Sequence, residues 1–596
     1  MHGSGFYSRE YEVTALIIDS EADGLLGTVT QIWCVCTKDV DTGETKRWKY
    51  DRLKEFKEYA EGYDQWVGHN IIGYDCPLFL RFLNMRRPLT PAHILDTLTL
   101  SLLSKYTRQN GHGLDGWGKT LNFPKGGFTD FSHYSDEMMD YCENDVELTY
   151  KVLRYLQIET AGYDLTQAIQ IEYLTTKYMD KQQKNGFALD VRKTHSLYCE
   201  LKENRDDKEE TLQDSFQPKG IELCIKPKRK EDGSVSKVGL GCLGDQFQYA
   251  AGEFCPVKYK TFNPGSPKQV LERLDGYWNP TEYTKPSKTH PDGQARITEK
   301  NLGTLHSDAP KGAHVLAEYL MLKSRTKLVE TWLEEEKDGR IHGKVWGIGA
   351  ITHRMSHSEP NMANVPGSTS PYGVQCRSCW TVDNPETQVL LGTDAKGIQL
   401  RVLAHYMADP DYIEEVVNGD IHTRNKEALG IDSRDVAKTF IYAWLLGAGS
   451  AKIGAIIGGS AKEGREATER FLEAYPALVR LKLKAATAAG LGYMVGLDGR
   501  HVEIKSEHYA LSAYLQSAES ILMKVALHLW NKRSTHLHYK HVATIHDEWQ
   551  TEALKTEAQE LGHIQCKAIR DAGKMLCCKC PMDGNFTIGN NWQETH

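Results

Sequence analysis

No run of apolar residues in this 596-residue chain is long enough to span a bilayer, and its short polar N-terminus has no signal-peptide pattern. Membrane embedding and secretion are therefore not expected, and a cytoplasmic location is. The chain also lacks an excess of positive charge. Its formal net charge is −8, so any grip on nucleic acid must come from local basic patches. The 14 cysteines lack organisation. Cys376 and Cys379 form one Cys-x-x-Cys, and Cys577, Cys578 and Cys580 cluster, but no second pair has the spacing of a standard zinc site. Free thiols are the expectation, with a zinc site built from these sulfurs as the alternative. The rest is ordinary for a globular protein, at 40% hydrophobic and 26% charged residues, and the length calls for several domains.

Two stretches organise what is there. Val389-Leu390-Leu391-Gly392-Thr393-Asp394 reads as a buried strand, and Ile398, Val402, Leu403, Tyr406 and Met407 follow with helical spacing. Asp394 at the junction is either a helix N-cap or a hard-oxygen ligand for a cation such as Mg²⁺. The second stretch, Thr544-Ile545-His546-Asp547-Glu548-Trp549, reads as two strands joined by a tight turn that carries two acids. Buried acids are costly without a cation, and a metal shared with Asp394 would satisfy both. These stretches resemble motifs A and C of the family A (polymerase I superfamily) DNA polymerases, most closely the bacteriophage replicative branch.

The N-terminal region carries a second set of acids. Val13 to Ile18 reads as a strand leading to Asp19-Ser20-Glu21, whose two acids alternate onto one face. Gly24 marks a turn before a strand over Gln31 to Thr37. Asp75 follows an apolar stretch that includes Asn70, and Tyr141 and Asp145 lie four apart in a helical pattern. Each acid alone reads as a solvated surface group. Together they can hold two Mg²⁺ and orient an attacking water for phosphodiester hydrolysis. They resemble the three motifs of DEDD-type 3′–5′ exonucleases. The resemblance implies an active proofreading domain, with Asp19, Glu21, Asp75 and Asp145 carrying metals and Tyr141 positioning the water.

Further resemblances run along the chain. Helices over Ala168 to Gln183 and Ser196 to Gln213, broken at Gly186 to Asp190, are where the family's thumb begins, and a helix over Pro267 to Leu274 continues it. The loop Lys226-Pro227-Lys228-Arg229-Lys230 reads either as solvated or, on a thumb, as a phosphate contact with salt-sensitive binding. Some phage relatives insert a longer segment there that recruits a host thioredoxin. The shorter piece here, roughly Ser215 to Thr261, leaves a thioredoxin-like processivity factor open as a partner. Gly343 to Arg354 reads as a strand ending in Thr352-His353-Arg354, where the family has Thr-Gly-Arg, which implies that Arg354 checks the minor groove near the primer end.

In the fingers, His422 matches a family residue that contacts the incoming triphosphate. Arg434, Lys438 and Tyr442 form one stripe on a helix that Ser433 can cap, resembling motif B. Two cations on one face fit a polyphosphate, and the resemblance gives Lys438 the protonation of the pyrophosphate leaving group. The family usually has Glu at Gln399 and Tyr at Leu446, so the wall against a sugar 2′-OH is expected to survive with its charge removed. Gln516 and His546 match residues near template and primer, and Glu548 is expected to support the acids from behind.

The resemblance as a whole implies an α/β multidomain chain: a ribonuclease H-like exonuclease domain at 1–165, a thumb at 166–335, the palm at 336–410 and 484–596, and fingers at 411–483. It implies a replicative, template-directed DNA polymerase with 3′–5′ proofreading. Each active site would take two Mg²⁺, with Mn²⁺ able to substitute, and the partners would be primer-template DNA and deoxynucleoside triphosphates. The expected setting is a phage-encoded protein in the bacterial host's cytoplasm. No 5′-nuclease segment is evident ahead of the exonuclease motif, which favours replication over repair. The alternatives are a repair polymerase, an exonuclease whose polymerase half only clamps DNA, and a DNA-binding assembly subunit.

Overall fold

The computed structural model describes residues 13–222, 230–232, 247–250 and 253–596. The chain forms two compact units. One combines the residues up to Ala188 with Arg340–Val365 and Trp380–His596; the other is Leu189–Gly339 with Pro366–Cys379.

The first unit is built on two larger sheets. Strands β1 (Ala15–Ala22), β2 (Ile32–Asp39), β3 (Thr45–Lys49), β4 (Gln65–Gly68) and β5 (Ile94–Asp96) are ordered β3-β2-β1-β4-β5. The first three pair antiparallel, whereas β4 and β5 add in parallel. Helix α1 (Asp75–Leu83) leaves the loop after β4. Helix α2 (Asp136–Glu159), capped by Ser135, packs Met138, Met139, Cys142, Val146 and Leu148 against this sheet, the spacing that one buried helical face requires. Helix α3 (Thr166–Asn185) leads to the second sheet.

That second sheet has strands β6 (Gln388–Ala395), β7 (Tyr539–Ile545), β8 (Glu548–Leu554) and β9 (Gly584–Gly589), ordered β7-β8-β6-β9 and all antiparallel. Around it lie α4 (Ile398–Met407), α5 (Ile421–Leu429), α6 (Arg434–Leu445), α7 (Glu507–Arg533) and α8 (Ala558–Met575). Helix α7 is buried on nearly every side through its middle, so it forms the spine of this core.

Two local expectations change. Asp394 caps nothing: it lies inside β6, and α4 starts only after Gly397, whose φ of 56° is a left-handed turn that glycine adopts without strain. The strand expected over Gly343 to Arg354 is short. Only Lys344–Trp346 pairs, with Ser356–Ser358, because a turn closed by the His353 N–H donating to the Ala350 carbonyl interrupts it, with His353 at φ 58°.

The second unit packs the long helices Val191–Ser215 and Leu316–Glu335 against each other, with the helix Pro267–Leu274 in the same apolar cluster. Of the basic loop, Lys226, Lys228 and Arg229 lie outside the described residues, and Lys230 is exposed. No helix among the described residues is long and apolar enough to cross a membrane.

Candidate active sites

The five-stranded sheet gathers the first set of acids. Strand alternation puts Asp19 and Glu21 on one face of β1, and α2 brings Cys142 to them. Potential ligand atoms of these three lie within 4.8 Å of one another. The Cys142 thiol donates to the Asp19 backbone carbonyl at 3.4 Å. Asp75 opens α1 and accepts from Ser20 Oγ at 2.5 Å. From α2, Asp145 meets Lys125 Nζ at 3.0 Å while its Oδ1 has no hydrogen-bond partner among the described residues. Lys125 also lies 5.2 Å from the centre of the Tyr141 ring, which Phe128 and Phe131 flank.

Such crowding is visible in the titration of these acids. Burial, then Glu21, Asp145 and Asp75, push Asp19 well above the carboxylate range. Burial, then Asp145, push Glu21 up to about 9, and burial pushes Asp75 to about 7 against the Ser20 hydrogen bond. Too much negative charge is held in too little water, which is the condition that a bound cation relieves.

In the second sheet the register does the corresponding work. Asp394 in β6 stands opposite Glu548 in β8, and the Ala395 N–H donates to the Asp547 carbonyl at 3.0 Å, fastening the turn beside the strand end. His546 takes the left-handed position of that turn, with φ 56°. Burial in the sheet, then Asp547 and Glu548, push Asp394 to about 7, although solvent reaches its side chain. Burial also raises Asp547. Neither acid has an ion-pair partner among the described residues. Glu548 differs: Gln550 Nε2 and Trp592 Nε1 donate to its Oε1 at 2.6 Å, and His596 Nδ1 lies 2.8 Å from Oε2. Despite burial, its bond to His596 holds it below the usual range.

The residues of the His422 and Arg434 to Tyr442 segments form a group of their own. Ser433 caps α6 through Val436, as its place ahead of the stripe suggests. The His422 and Tyr442 rings are 6.1 Å apart, and Arg434 and Lys438 are close enough to help lower the His422 imidazole, after burial. Tyr442 is raised by burial and then by Asp547 and Asp394, so Tyr442 lies within electrostatic range of the two acids. Lys438 has no ion-pair partner among the described residues. Arg434 instead holds Asp420 through two hydrogen bonds of 2.8 and 3.0 Å, and Asp420 caps α5. Gln516 is turned to Ser512 Oγ at 3.0 Å.

Several residues here escape sequence reading. Glu519 accepts Arg354 Nη2 on both oxygens at 2.6 Å, and Gln399 also helps to hold its carboxyl down against burial. Lys125 is a lone lysine in a loop. Arg500, Asp498, Glu172 and Lys524 form a fully buried charge cluster. The one available signal was a charged residue within an otherwise apolar or small-residue helix face, as at Glu519 and Lys524. The described cysteines are free thiols, and the group of potential metal ligands found among the described residues includes neither Cys376 with Cys379 nor the Cys577 cluster.

Comparison with known proteins follows from this geometry. The family model for DNA polymerase family A matches residues 243–594. DNA-directed DNA polymerases of Enterobacteria phage T3 and Escherichia phage T7 are each 30% identical to the chain, over 98% of it and 100% of their own length. The DNA polymerase I of Aquifex aeolicus is 23% identical over 88% of both chains. Among solved structures, the POL domain of Pol1 from M. smegmatis, in complex with DNA primer-template and dNTP, superposes with a TM-score of 0.74. It covers 98% of this chain and 96% of its own at 17% identity, a likeness of fold.

Proposed function

The chain belongs to DNA polymerase family A, and from that premise we propose that it is a phage replicative DNA-directed DNA polymerase with 3′–5′ proofreading, acting in the host cytoplasm. The observation that carries the polymerase half is the pairing of β6 with β8. It sets Asp394 beside Asp547, neither with an ion-pair partner among the described residues, and within electrostatic range of Tyr442 on the stripe that carries Arg434 and Lys438, with His422 beside it. The domain boundaries drawn from the sequence are part of the same proposal.

Both acid clusters fit divalent metal ions. They offer hard oxygen donors, and their raised pKa values report unrelieved negative charge. Asp394 and Asp547 would hold one pair of ions, and Asp19, Glu21, Asp75 and Asp145 another; we propose Mg²⁺, with Mn²⁺ as a substitute. When bound, such ions lower the pKa of an attacking hydroxyl or water and neutralise charge on the leaving oxygen. The chain's own residues do the rest. Lys438 and His422 bind the triphosphate, and Lys438 protonates the departing pyrophosphate. Arg434 trades its exposed pair with Asp420, worth little in water, for phosphate. Gln399 walls the sugar. Arg354, Gln516 and His546 meet the DNA near the primer end, and Lys226, Lys228, Arg229 and Lys230 its phosphates. In the exonuclease site Tyr141 orients the water. A thioredoxin-like factor at the segment after Ser215 remains the candidate processivity partner.

The test is one gel: a 5′-labelled primer on a longer template with Mg²⁺, with and without the four deoxynucleotides. Asp394→Ala should lose extension alone, and Asp19→Ala should lose shortening alone. Shortening without extension by the unaltered protein would refute the polymerase reading and leave a nuclease with a clamping hand.

A further inference from the structure

We propose that Glu519 is a positioning residue that holds Arg354 in readiness for the primer-terminal base pair and links it to Gln399; this rests on the role given above to Arg354. Glu519 sits mid-way along α7 with its side chain 2% exposed. A carboxylate so placed is tolerated only with partners, and it has two. Arg354 Nη2 donates to both of its oxygens at 2.6 Å, and the Gln399 amide lies near enough to help hold its carboxyl down.

The same helix grips the backbone of Arg354. Ser520 Oγ and Lys524 Nζ donate to the carbonyl of His353, the preceding residue, at 2.8 and 2.9 Å. Side chain and main chain are thus fixed from one helix, so a long and flexible side chain is ordered before DNA arrives. With Nη2 held by Glu519, the Arg354 side chain still keeps 17% of its surface exposed, so part of the guanidinium stays open to an acceptor. Purine N3 or pyrimidine O2 in the minor groove is such an acceptor.

Two further effects follow from the charge at position 519. Glu519 occupies the guanidinium on both of its oxygens, which keeps Arg354 off the carboxylates that would hold metal. The neutral residue at 399 also gains a reason. A carboxylate there would add a second negative charge beside that of Glu519, whereas the neutral amide helps to hold the Glu519 carboxyl down.

The experiment measures single-nucleotide incorporation on two primers that differ only in the 3′-terminal guanine, one natural and one 3-deaza, which lacks the N3 acceptor. The unaltered enzyme should lose about tenfold or more in kcat/KM on the 3-deaza primer, the size expected for one hydrogen bond from a charged donor. Arg354→Ala should abolish that difference. Glu519→Ala should abolish it as well, with the loss falling on kcat more than on nucleotide KM, and Glu519→Gln, which keeps an acceptor oxygen, should restore part of it. Exonuclease rate, measured on single-stranded DNA, shows that each variant is folded. If Arg354→Ala removes the 3-deaza difference and Glu519→Ala keeps it, the role of Glu519 is overturned while that of Arg354 stands. If Arg354→Ala keeps the difference, the role of Arg354 is overturned and this proposal with it.

Discussion

Replacing Arg500 by Met tests how the palm is held to α3. Arg500 Nη1 lies 2.7 Å from Glu172, and its Nε and Nη2 donate to Asp498 at 2.6 to 2.9 Å. Lys524 Nζ completes the cluster, 2.7 Å from Glu172 Oε1. All four side chains are between 0% and 3% exposed. Two acids and two bases make the set neutral. Arg500→Met leaves one uncompensated negative charge where no water reaches, which costs about 3–5 kcal/mol. Glu172→Gln and Lys524→Met should each cost a similar amount, leaving the opposite excess and the same excess respectively. Their combination leaves Arg500 with Asp498, neutral again, and should cost less than the sum of the two by about 2 kcal/mol. Equilibrium urea unfolding followed by tryptophan fluorescence reads these costs as midpoint shifts. A cost for Arg500→Met under about 1 kcal/mol, or additivity in the double variant, would refute the reasoning, because either result means that the charges are still solvated. Lys524 also holds the His353 carbonyl, so its loss should reduce primer extension beyond what the stability change accounts for.

Lys125→Met removes the cation beside Asp145, so the thermal midpoint in EDTA should fall by several degrees and recover in millimolar Mg²⁺; an equal fall under both conditions would dismiss Lys125 as a counter-ion. The Asp75 pKa is raised from 3.8 to about 7, so the folded chain holds that proton more tightly than the unfolded chain does. Its stabilisation is present below about pH 4 and lost as pH rises through about 7. Metal-free protein should therefore melt at lower temperature at about pH 8 than at about pH 5, and saturating Mg²⁺ should cancel that trend. The Tyr442 hydroxyl, within electrostatic range of the two palm acids, can stand in for an absent sugar 3′-OH. Tyr442→Phe should therefore discriminate against dideoxynucleotides, and a primer-extension gel with equal preference before and after the change would reject the idea.

The acids of both clusters were readable because each lies in a short segment whose local pattern fixes its direction. Alternation along β1 sets Asp19 with Glu21, a four-residue step on α2 sets Tyr141 with Asp145, and a two-residue turn delivers Asp547. Asp394 was ambiguous for the opposite reason. Whether it ends a strand or caps a helix depends on where the chain turns, and Gly397 decides that only in three dimensions. The strand expected as far as Arg354 failed because apolar residues and glycines alternate there without a pairing partner beyond Trp346. Glu519, Lys125 and the Arg500 cluster were beyond local pattern altogether. Glu519 meets Arg354 across 165 positions and Lys524 meets Glu172 across 352, and nothing in the spacing of either residue points to the other.

The two acid clusters resolve the same electrostatic problem in different ways, and the difference bears on what each site does without metal. In the N-terminal cluster a lysine enters, and Asp145 keeps an ion pair at 3.0 Å while its Oδ1 has no hydrogen-bond partner among the described residues. In the second cluster the nearby cation, Arg354, is taken instead by Glu519, leaving Asp394 and Asp547 without an ion-pair partner among the described residues. A cation that bridged Asp394 and Asp547 would stabilise the empty palm but would have to be displaced at every loading of metal and nucleotide. Supplying a separate acid at 519 avoids that competition at the cost of burying one more charge, and the neutral side chain at 399 is what makes room for it. The unusual Gln399 and the buried Glu519 are thus two parts of one arrangement, in which negative charge sits behind the guanidinium instead of beside the sugar.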